Sequence, residues 1–289
     1  MKSIGITGNI NNRLVPKTLE QVIKWCRKNK VGFEVDSRLP KLKQTKGHLC
    51  HRAILWKGND FLISLGGDGT LLSAVQALGE HQIPVLGINL GGLGFLTQLD
   101  VKEVERGLNL VKRNKFQVEQ RMVLQVQRIK PKSSKIYYAL NDAVLHKGEI
   151  ARLISFEVKA NAELICSYMA DGLIVSTPTG STAYSLAADG PIIHPDLDAI
   201  IVTPICPQTM ASRSFIFSAP EQLVIKLGTV RESSHMMIDG QIWFRVKKGE
   251  EIEIKKAAHK VRMIKFPGYS FYSVLRQKLH WGVLPGQPI

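Results

Sequence analysis

The stretch Phe61-Leu-Ile-Ser-Leu-Gly-Gly-Asp-Gly-Thr70 decides the architecture of this 289-residue chain. Its first five residues are mostly apolar and read as a buried strand, after which three glycines surround a single carboxylate, Asp68. Leu71, Leu72, Val75 and Leu78 then follow at helical spacing. A strand, a tight turn and a helix N-terminus therefore succeed one another. Glycine leaves no side chain in the path of a phosphate and tolerates positive φ. The helix start adds unpaired N–H groups and a positive dipole end. A carboxylate repels phosphate, so Asp68 makes sense as the acceptor of a proton from an attacking hydroxyl, or as a metal ligand. The plain alternative is that Asp68 caps the helix.

Working outward, residues 2–7 and Phe33-Glu-Val35 read as strands, with Leu19, Val22, Ile23 and Cys26 marking a helix between them. On the other side, Ile83-Pro-Val-Leu-Gly-Ile88 is a further strand that runs into a second glycine-rich loop, Asn89-Leu-Gly-Gly-Leu-Gly-Phe-Leu96. Strands alternating with helices predict a doubly wound α/β domain with a parallel sheet and helices on both faces. Ligands on such sheets sit at the carboxyl ends of the strands, where both glycine loops fall. No Gly-Lys-Ser/Thr occurs, which excludes a P-loop, and the glycines miss the Gly-x-Gly-x-x-Gly spacing of a Rossmann dehydrogenase.

From about Arg121 the period changes to two. Leu124 and Val126 alternate with Gln125 and Gln127, and Ile154, Phe156 and Val158 alternate with Ser155, Glu157 and Lys159. Further runs of this kind, with Asp239-Gly240 as a hairpin signal, predict a mostly β second domain of layered or sandwich type. Phe271, Val274, Leu275 and Leu279 return to helical spacing. The expected organisation is an α/β domain over 1–112, an inserted β-sandwich-like domain over 113–267, and a helical segment over 268–289 that packs back on the first domain.

Composition narrows the partners. A hydrophobic fraction of 44% and a charged fraction of 22% are those of a globular protein. Lys plus Arg number 39 against 24 Asp plus Glu, a surplus that suits an anionic ligand. These basic residues are spread along the chain with no zinc-finger spacing or aromatic RNA-binding motif, so a phosphate cleft is a more economical reading than nucleic acid. No apolar run reaches membrane-spanning length, and residues 1–6 lack a signal peptide's apolar block. The scattered Cys26, Cys50, Cys166 and Cys206 read as reduced thiols, and the expected location is cytoplasmic. His48, Cys50 and His51 lie close together in the basic stretch 41–57, which is a weak signal for a metal site.

Two stretches in the β region carry polar groups that a plain sandwich does not need. Asn141-Asp142 stands between apolar neighbours, and an amide beside a carboxylate can bond a base edge and the hydroxyls of a ribose. Ala170-Asp-Gly-Leu-Ile-Val-Ser-Thr-Pro-Thr-Gly-Ser-Thr-Ala-Tyr184 begins with an Asp-Gly and ends in a turn rich in hydroxyls and free N–H groups. The bland readings are an Asn-Asp turn and a Ser181 helix cap.

Taken together, these motifs resemble the NAD kinase family, from Ile63 through Gln241 and on to the aromatic end at Tyr269. Gly66-Gly-Asp-Gly-Thr70 alone is shared with lipid kinases and phosphofructokinases. Asn141-Asp142 and Asp171 followed by Thr177-Pro-Thr-Gly-Ser-Thr-Ala-Tyr184 are what single out NAD kinases. The resemblance implies phosphorylation of the 2′-hydroxyl of the adenosine ribose of NAD, with ATP or inorganic polyphosphate as donor and a divalent cation such as magnesium. It implies Asp68 as proton acceptor with Gly69 beside it, and Asn141 and Asp142 at the adenosine half. Asp171, Thr182, Ala183, Tyr184, Ser185, Leu186 and Ala187 would complete the NAD pocket, with Arg152 and Gln241 as further contacts. A homodimer or homotetramer formed through the β domain is implied as well, without nucleic-acid or membrane partners. The chain departs from the family in having Asp142 where glutamate is usual, and Arg213-Ser214 where Arg-Pro is common. A diacylglycerol- or sphingosine-type lipid kinase is the alternative, but it has no need of the Thr177–Tyr184 pocket.

Overall fold

The computed structural model describes residues 1–92, 94–148, 153–209, 211–228 and 234–280. The chain divides into two compact units, Met1–Gln120 with the chain from Val261 onward, and Arg121–Lys260.

The first unit is built on a largely parallel sheet. Its strands are β1 (Ser3–Gly8), β2 (Gly32–Asp36), β3 (Leu49–Cys50), β4 (Phe61–Leu65), β5 (Val85–Asn89), β6 (Leu99–Asp100) and β7 (Gln117–Arg121), joined by the late strand Val261–Lys265. The order β3-β2-β1-β4-β5, then Val261–Lys265, then β7 reverses direction between β1 and β4, which is the doubly wound pattern. Helix α1 (Val15–Asn29) connects β1 to β2, α2 (Asp68–Leu78) connects β4 to β5, and α3 (Val104–Lys112) follows β6. Alternation along the strands assigns the faces. Ile4, Ile6, Phe61, Ile63, Leu65, Leu86 and Ile88 join one core with Leu19, Val22 and Cys26 of α1 and Leu108 of α3. The intervening Gly87 meets α2 instead, since a Cβ there would stand 2.8 Å from Leu71. Trp25 of α1 donates its indole N–H to Asn109 of α3 at 2.9 Å.

The basic stretch 41–57 forms two single 3₁₀ turns around β3, which pairs with β2. His48 lies 4.3 Å from the ring of Phe33, and His51 accepts the N–H of Ala53. The Cys50 thiol is pushed up to about 11 by burial and by Glu34, which opposes the thiolate a metal requires. Among the described residues no group of three or more His, Cys, Asp or Glu is placed to hold a metal.

The second unit is a sandwich of two six-stranded antiparallel sheets. Its strands are β8 (Leu124–Lys130), β9 (Ile136–Ala139), β10 (Asp142–His146), β11 (Ile154–Ala160), β12 (Glu163–Ala170), β13 (Gly172–Ser176), β14 (Ala199–Ile205), β15 (Phe215–Ser218), β16 (Leu223–Leu227), β17 (Ser234–Ile238), β18 (Ile242–Val246) and β19 (Glu251–Lys256). One sheet runs β15-β14-β13-β10-β17-β18 and the other β12-β11-β16-β19-β8-β9. Leu124, Val126, Phe156, Val158, Leu173, Val175, Ile200 and Val202 meet in the core between them. β13 and β14 are buried along their whole length, because a second cluster covers their outer side: Val144, Ile174 and Ile205 with Ala188 and Met237. The chain after β13 thus lies on the sheet rather than in solvent.

Sequence patterning places the domain change near residue 113 and the return near 268, whereas the compact units divide after 120 and 260. The difference is two strands, Gln117–Arg121 and Val261–Lys265, that belong to the first sheet. The C-terminal helix Phe271–Leu279 belongs to the first unit and buries Val274 and Leu275 there. No helix among the described residues is long and apolar enough to cross a membrane.

Candidate functional site

In the first unit the parallel strands deliver their loops to one edge. Asn9 donates its N–H to Leu65 and Gly66 donates to Ile88, both at 2.9 Å, which ties the ends of β1, β4 and β5 together. Gly66 is obligatory in this turn, as a Cβ would stand 2.2 Å from Thr70 Oγ1. Gly67 and Gly69 would meet nothing within 4 Å, so they leave bare backbone before the first turn of α2.

Asp68 is the first residue of α2, behind Gly67, and makes no capping bond. Its carboxylate reaches the second glycine loop instead. Oδ2 accepts the N–H of Phe95 at 2.8 Å, and Oδ1 accepts those of Leu96 and Thr97 at 3.0 and 3.3 Å. The capping alternative therefore does not hold; the side chain locks one loop to the other. A carboxylate offers about four acceptor positions, and three are filled. Among the described residues none fills the one left, on Oδ2. Gly94 is pressed against this group, since a Cβ there would lie 2.2 Å from Asp68 Oδ1. Tyr269 donates its hydroxyl to the Phe95 carbonyl at 2.9 Å, and Lys278 lies 4.7 Å from the Phe95 ring centre. The aromatic end of the chain thus braces the loop that holds Asp68.

In the second unit the residues 140–142 are organised by a group that sequence reasoning takes only as a hairpin signal. Asp239 heads the turn between β17 and β18 at φ 49°, followed by Gly240 at φ 64°. Its carboxylate accepts the backbone N–H groups of Leu140, Asn141 and Asp142 at 2.8, 2.7 and 3.1 Å. Asp142 is 5% exposed. Burial first, and the charge of Asp239 second, push its carboxyl up to about 7. Asn141 Oδ1 is buried without a partner, an orphan acceptor of the kind a ligand's donor satisfies.

The hydroxyl-rich turn packs directly on this loop. Thr177 donates its N–H to Asn141 O at 2.9 Å and its hydroxyl to Leu140 O at 2.6 Å. A Cβ at Gly180 would lie 2.2 Å from Asn141 O, so only glycine allows the approach. Thr182 and Ala183 are half-buried, and α4 (Tyr184–Ala187) exposes Tyr184 and Ala187 with Leu186 half-buried. Ser185 is fully buried and its hydroxyl is engaged with Thr203 at 3.1 Å, so it anchors the turn. Ser181, read from sequence as a possible cap, bonds Pro178 O and Ile193 O. Gln241 is exposed, two residues beyond Asp239.

Asp171 stands apart. It precedes β13 whereas Thr177 follows it, and five residues of strand separate the two ends by roughly 17 Å. It is ion-paired with Lys147, at the end of β10 remote from Asp142. Arg152 lies outside the described residues. No sequence signal would have found Asp239 or Gly94, since their roles arise from contacts 97–99 and 26 residues away along the chain.

Comparison with known proteins follows the same lines. The ATP-NAD kinase N-terminal domain family matches residues 4–116, and the ATP-NAD kinase C-terminal domain family matches residues 140–266. An NAD kinase of Geotalea daltonii is 36% identical over 283 residues, covering 98% of this chain and 99% of its own. An NAD kinase of Carboxydothermus hydrogenoformans is 45% identical over 221 residues, 76% of this chain and 79% of its own. The crystal structure of yeast NADH kinase complexed with NADH superposes with a TM-score of 0.88 at 26% identity, covering 98% of this chain and 89% of that one.

Proposed function

The chain belongs to the NAD kinase family and phosphorylates NAD, and from that premise we propose that Asp68 is the proton acceptor for the 2′-hydroxyl of the adenosine ribose. That hydroxyl is a poor nucleophile until its proton has somewhere to go. In this reading the proton passes to the open position on Oδ2, the hydroxyl oxygen forms the new P–O bond, and the donor leaves one phosphate shorter. The bare backbone at Gly67 and Gly69 and the N-terminus of α2 receive the donor's phosphates. ATP is the donor that the family description favours, with polyphosphate as the second possibility.

Asn141 and Asp142 take the adenosine half of NAD. The orphan Oδ1 of Asn141 suits an exocyclic amine, and Asp142 suits ribose hydroxyls. Gly69, Thr182, Ala183, Tyr184, Leu186, Ala187 and Gln241 supply surface and backbone contacts, while Ser185 holds its turn in shape. Arg152 keeps its proposed contact role, and Asp171 would serve a part of the dinucleotide remote from Asp142. A divalent cation would enter on the donor's phosphates, because such ions keep several waters and need few protein ligands. When bound it neutralises phosphate charge. The cytoplasm and a homo-oligomer complete the proposal. Leu164 and Met169 of β12, Phe215 of β15 and Trp243 of β18 are each more than half exposed; β15 and β18 are opposite edges of one sheet, and either edge offers apolar side chains to a second copy.

The observation that carries this reading is a carboxylate fixed by three loop N–H groups, with one acceptor position that no described residue fills. Steady-state assay of the Asp68→Asn variant with NAD and ATP tests it. Turnover equal to that of the unaltered chain removes Asp68 from the chemistry.

A further inference from the structure

The first unit holds a guanidinium, that of Arg52, that no described residue ion-pairs with. Arg52, in the 3₁₀ turn Arg52–Ile54 after β3, lies against α2 and donates Nη1 to Ser73 Oγ at 2.8 Å. Among the described residues its Nε is buried without a partner and its Nη2 has no hydrogen bond. Among the described residues Arg52 forms no ion pair. The carboxylate that acts on it, Asp36, is already spent. Oδ1 takes Nε of Arg38 at 3.0 Å, and Oδ2 takes Nη2 of Arg38 at 2.6 Å and the Thr7 hydroxyl at 2.7 Å. Asp36 and Arg38 cancel, which leaves one positive charge over. Burial and then Arg38 push the Arg52 guanidinium down to about 10, Asp36 offsetting only part of this. An unpaired guanidinium kept half-buried is costly unless an anion arrives to complete it.

Its place in the fold says which anion. Asp36 ends β2 and Cys50 ends β3, side by side in register, so Arg52 stands on the same carboxyl edge as the glycine turn. Ser73 is five residues beyond Asp68 on α2, about 7.5 Å along the axis at 1.5 Å per residue. One turn before Ser73, on the same helix face, is Gly69, which has no side chain to block that face. Arg38 and Arg52 are thus the basic end of a track that begins at Asp68.

We propose that Arg52 is a substrate-binding residue, whose guanidinium takes a phosphate oxygen of a phosphate chain lying along the Gly69–Ser73 face of α2. The donor's triphosphate and the dinucleotide's diphosphate share this chemistry, and a guanidinium is the group best suited to it. The inference rests on the kinase reading of this edge of the sheet. Its structural rival is that Arg52 only straps the segment 41–57 to α2.

Calorimetric titration of inorganic tripolyphosphate and of NAD, separately, into the full chain and its Arg52→Met and Arg52→Lys variants decides the matter. Arg52→Met should weaken one of the two anions by roughly 10- to 150-fold, the range for a hydrogen bond to a charged group. Arg52→Lys should recover most of the loss, and the loss should shrink as salt rises. A loss confined to tripolyphosphate assigns the donor chain, and one confined to NAD assigns the dinucleotide. If Arg52→Met does not fold, Arg52→Gln, which keeps a donor for Ser73 but no charge, carries the same comparison. Binding of both anions within twofold of the unaltered chain by a folded neutral variant, with only a lower melting temperature, overturns the proposal. An unaltered chain that binds neither anion overturns it too. An Arg52-dependent binding curve in a chain that makes no NADP supports it and counts against the kinase reading alone.

Discussion

Replacing Asp68 by asparagine separates the proposed role as base from the structural one, because the carboxylate also ties down the second glycine loop. The aspartate accepts one N–H on Oδ2 and two on Oδ1. Asparagine keeps only one acceptor oxygen. If that oxygen takes Leu96 and Thr97, the amide nitrogen is turned donor-to-donor toward Phe95. Losing one hydrogen bond to a charged group costs ~1.5–3 kcal/mol. For a chain of this size that lowers the melting temperature by roughly 3–12 °C. Turnover should fall much further, by about 10²–10⁴-fold, since the general base is gone. The assay is NADP formation at 20 °C, normalised to the folded fraction from circular dichroism. Asp68→Ala should regain part of its turnover when formate is added, because a small carboxylate can take the proton but cannot retie the loop. Turnover per folded molecule within tenfold of the unaltered chain, or no response to formate alongside a large thermal shift, would refute the base and leave Asp68 a tether.

Gly94→Ala forces a methyl to within 2.2 Å of Asp68 Oδ1 without altering charge, so turnover should drop at least ~10-fold at unchanged NAD affinity; a shift in NAD affinity alone would misplace the loop's role. Gly180→Ala drives the turn off Asn141 and should raise KM for NAD more than it lowers kcat, which steady-state kinetics will read. The Asp142 carboxyl stands at about 7 in the folded chain against 3.8 as its ordinary value, so the fold holds a proton that the unfolded chain releases between about pH 4 and 7. Stability conferred at low pH is therefore lost as pH rises through that window, by no more than ~4 kcal/mol. Asp142→Asn should melt higher than the unaltered chain at pH 8 and close to it at pH 4, and parallel pH curves would show that Asp142 does not titrate there. Light scattering at micromolar concentration should give a dimer or larger, and a fully active monomer would remove the proposed assembly.

The strand, turn and helix around Asp68 were legible because each rests on local chemistry. A fully buried parallel strand needs an unbroken apolar run, a tight turn needs glycine, and α2 needs its apolar side chains three and four apart. The sandwich was legible from period-two alternation wherever one face met solvent. Less legible was sheet membership. Gln117-Val-Glu-Gln-Arg121 is too polar to declare itself a strand, and Leu49–Cys50 is two residues long; only their neighbours make them part of the first sheet. Proximity in sequence also misleads. Asp171 is six residues from Thr177, yet an extended strand carries it to the opposite end of the sheet. Asp68 and Asp239 show the remaining gap. A carboxylate that gathers three backbone N–H groups looks, in sequence, like any turn aspartate, since its partners come from another loop.

The central claim is tested most directly by incubating the purified chain with NAD, ATP and magnesium, with diacylglycerol and sphingosine offered as competing acceptors, and identifying the product by phosphorus NMR. The account predicts stoichiometric loss of the terminal phosphate of ATP and a dinucleotide monoesterified at the 2′-hydroxyl of the adenosine ribose. A phosphate at the 3′ position, or transfer to diacylglycerol or sphingosine with NAD left unchanged, would contradict it.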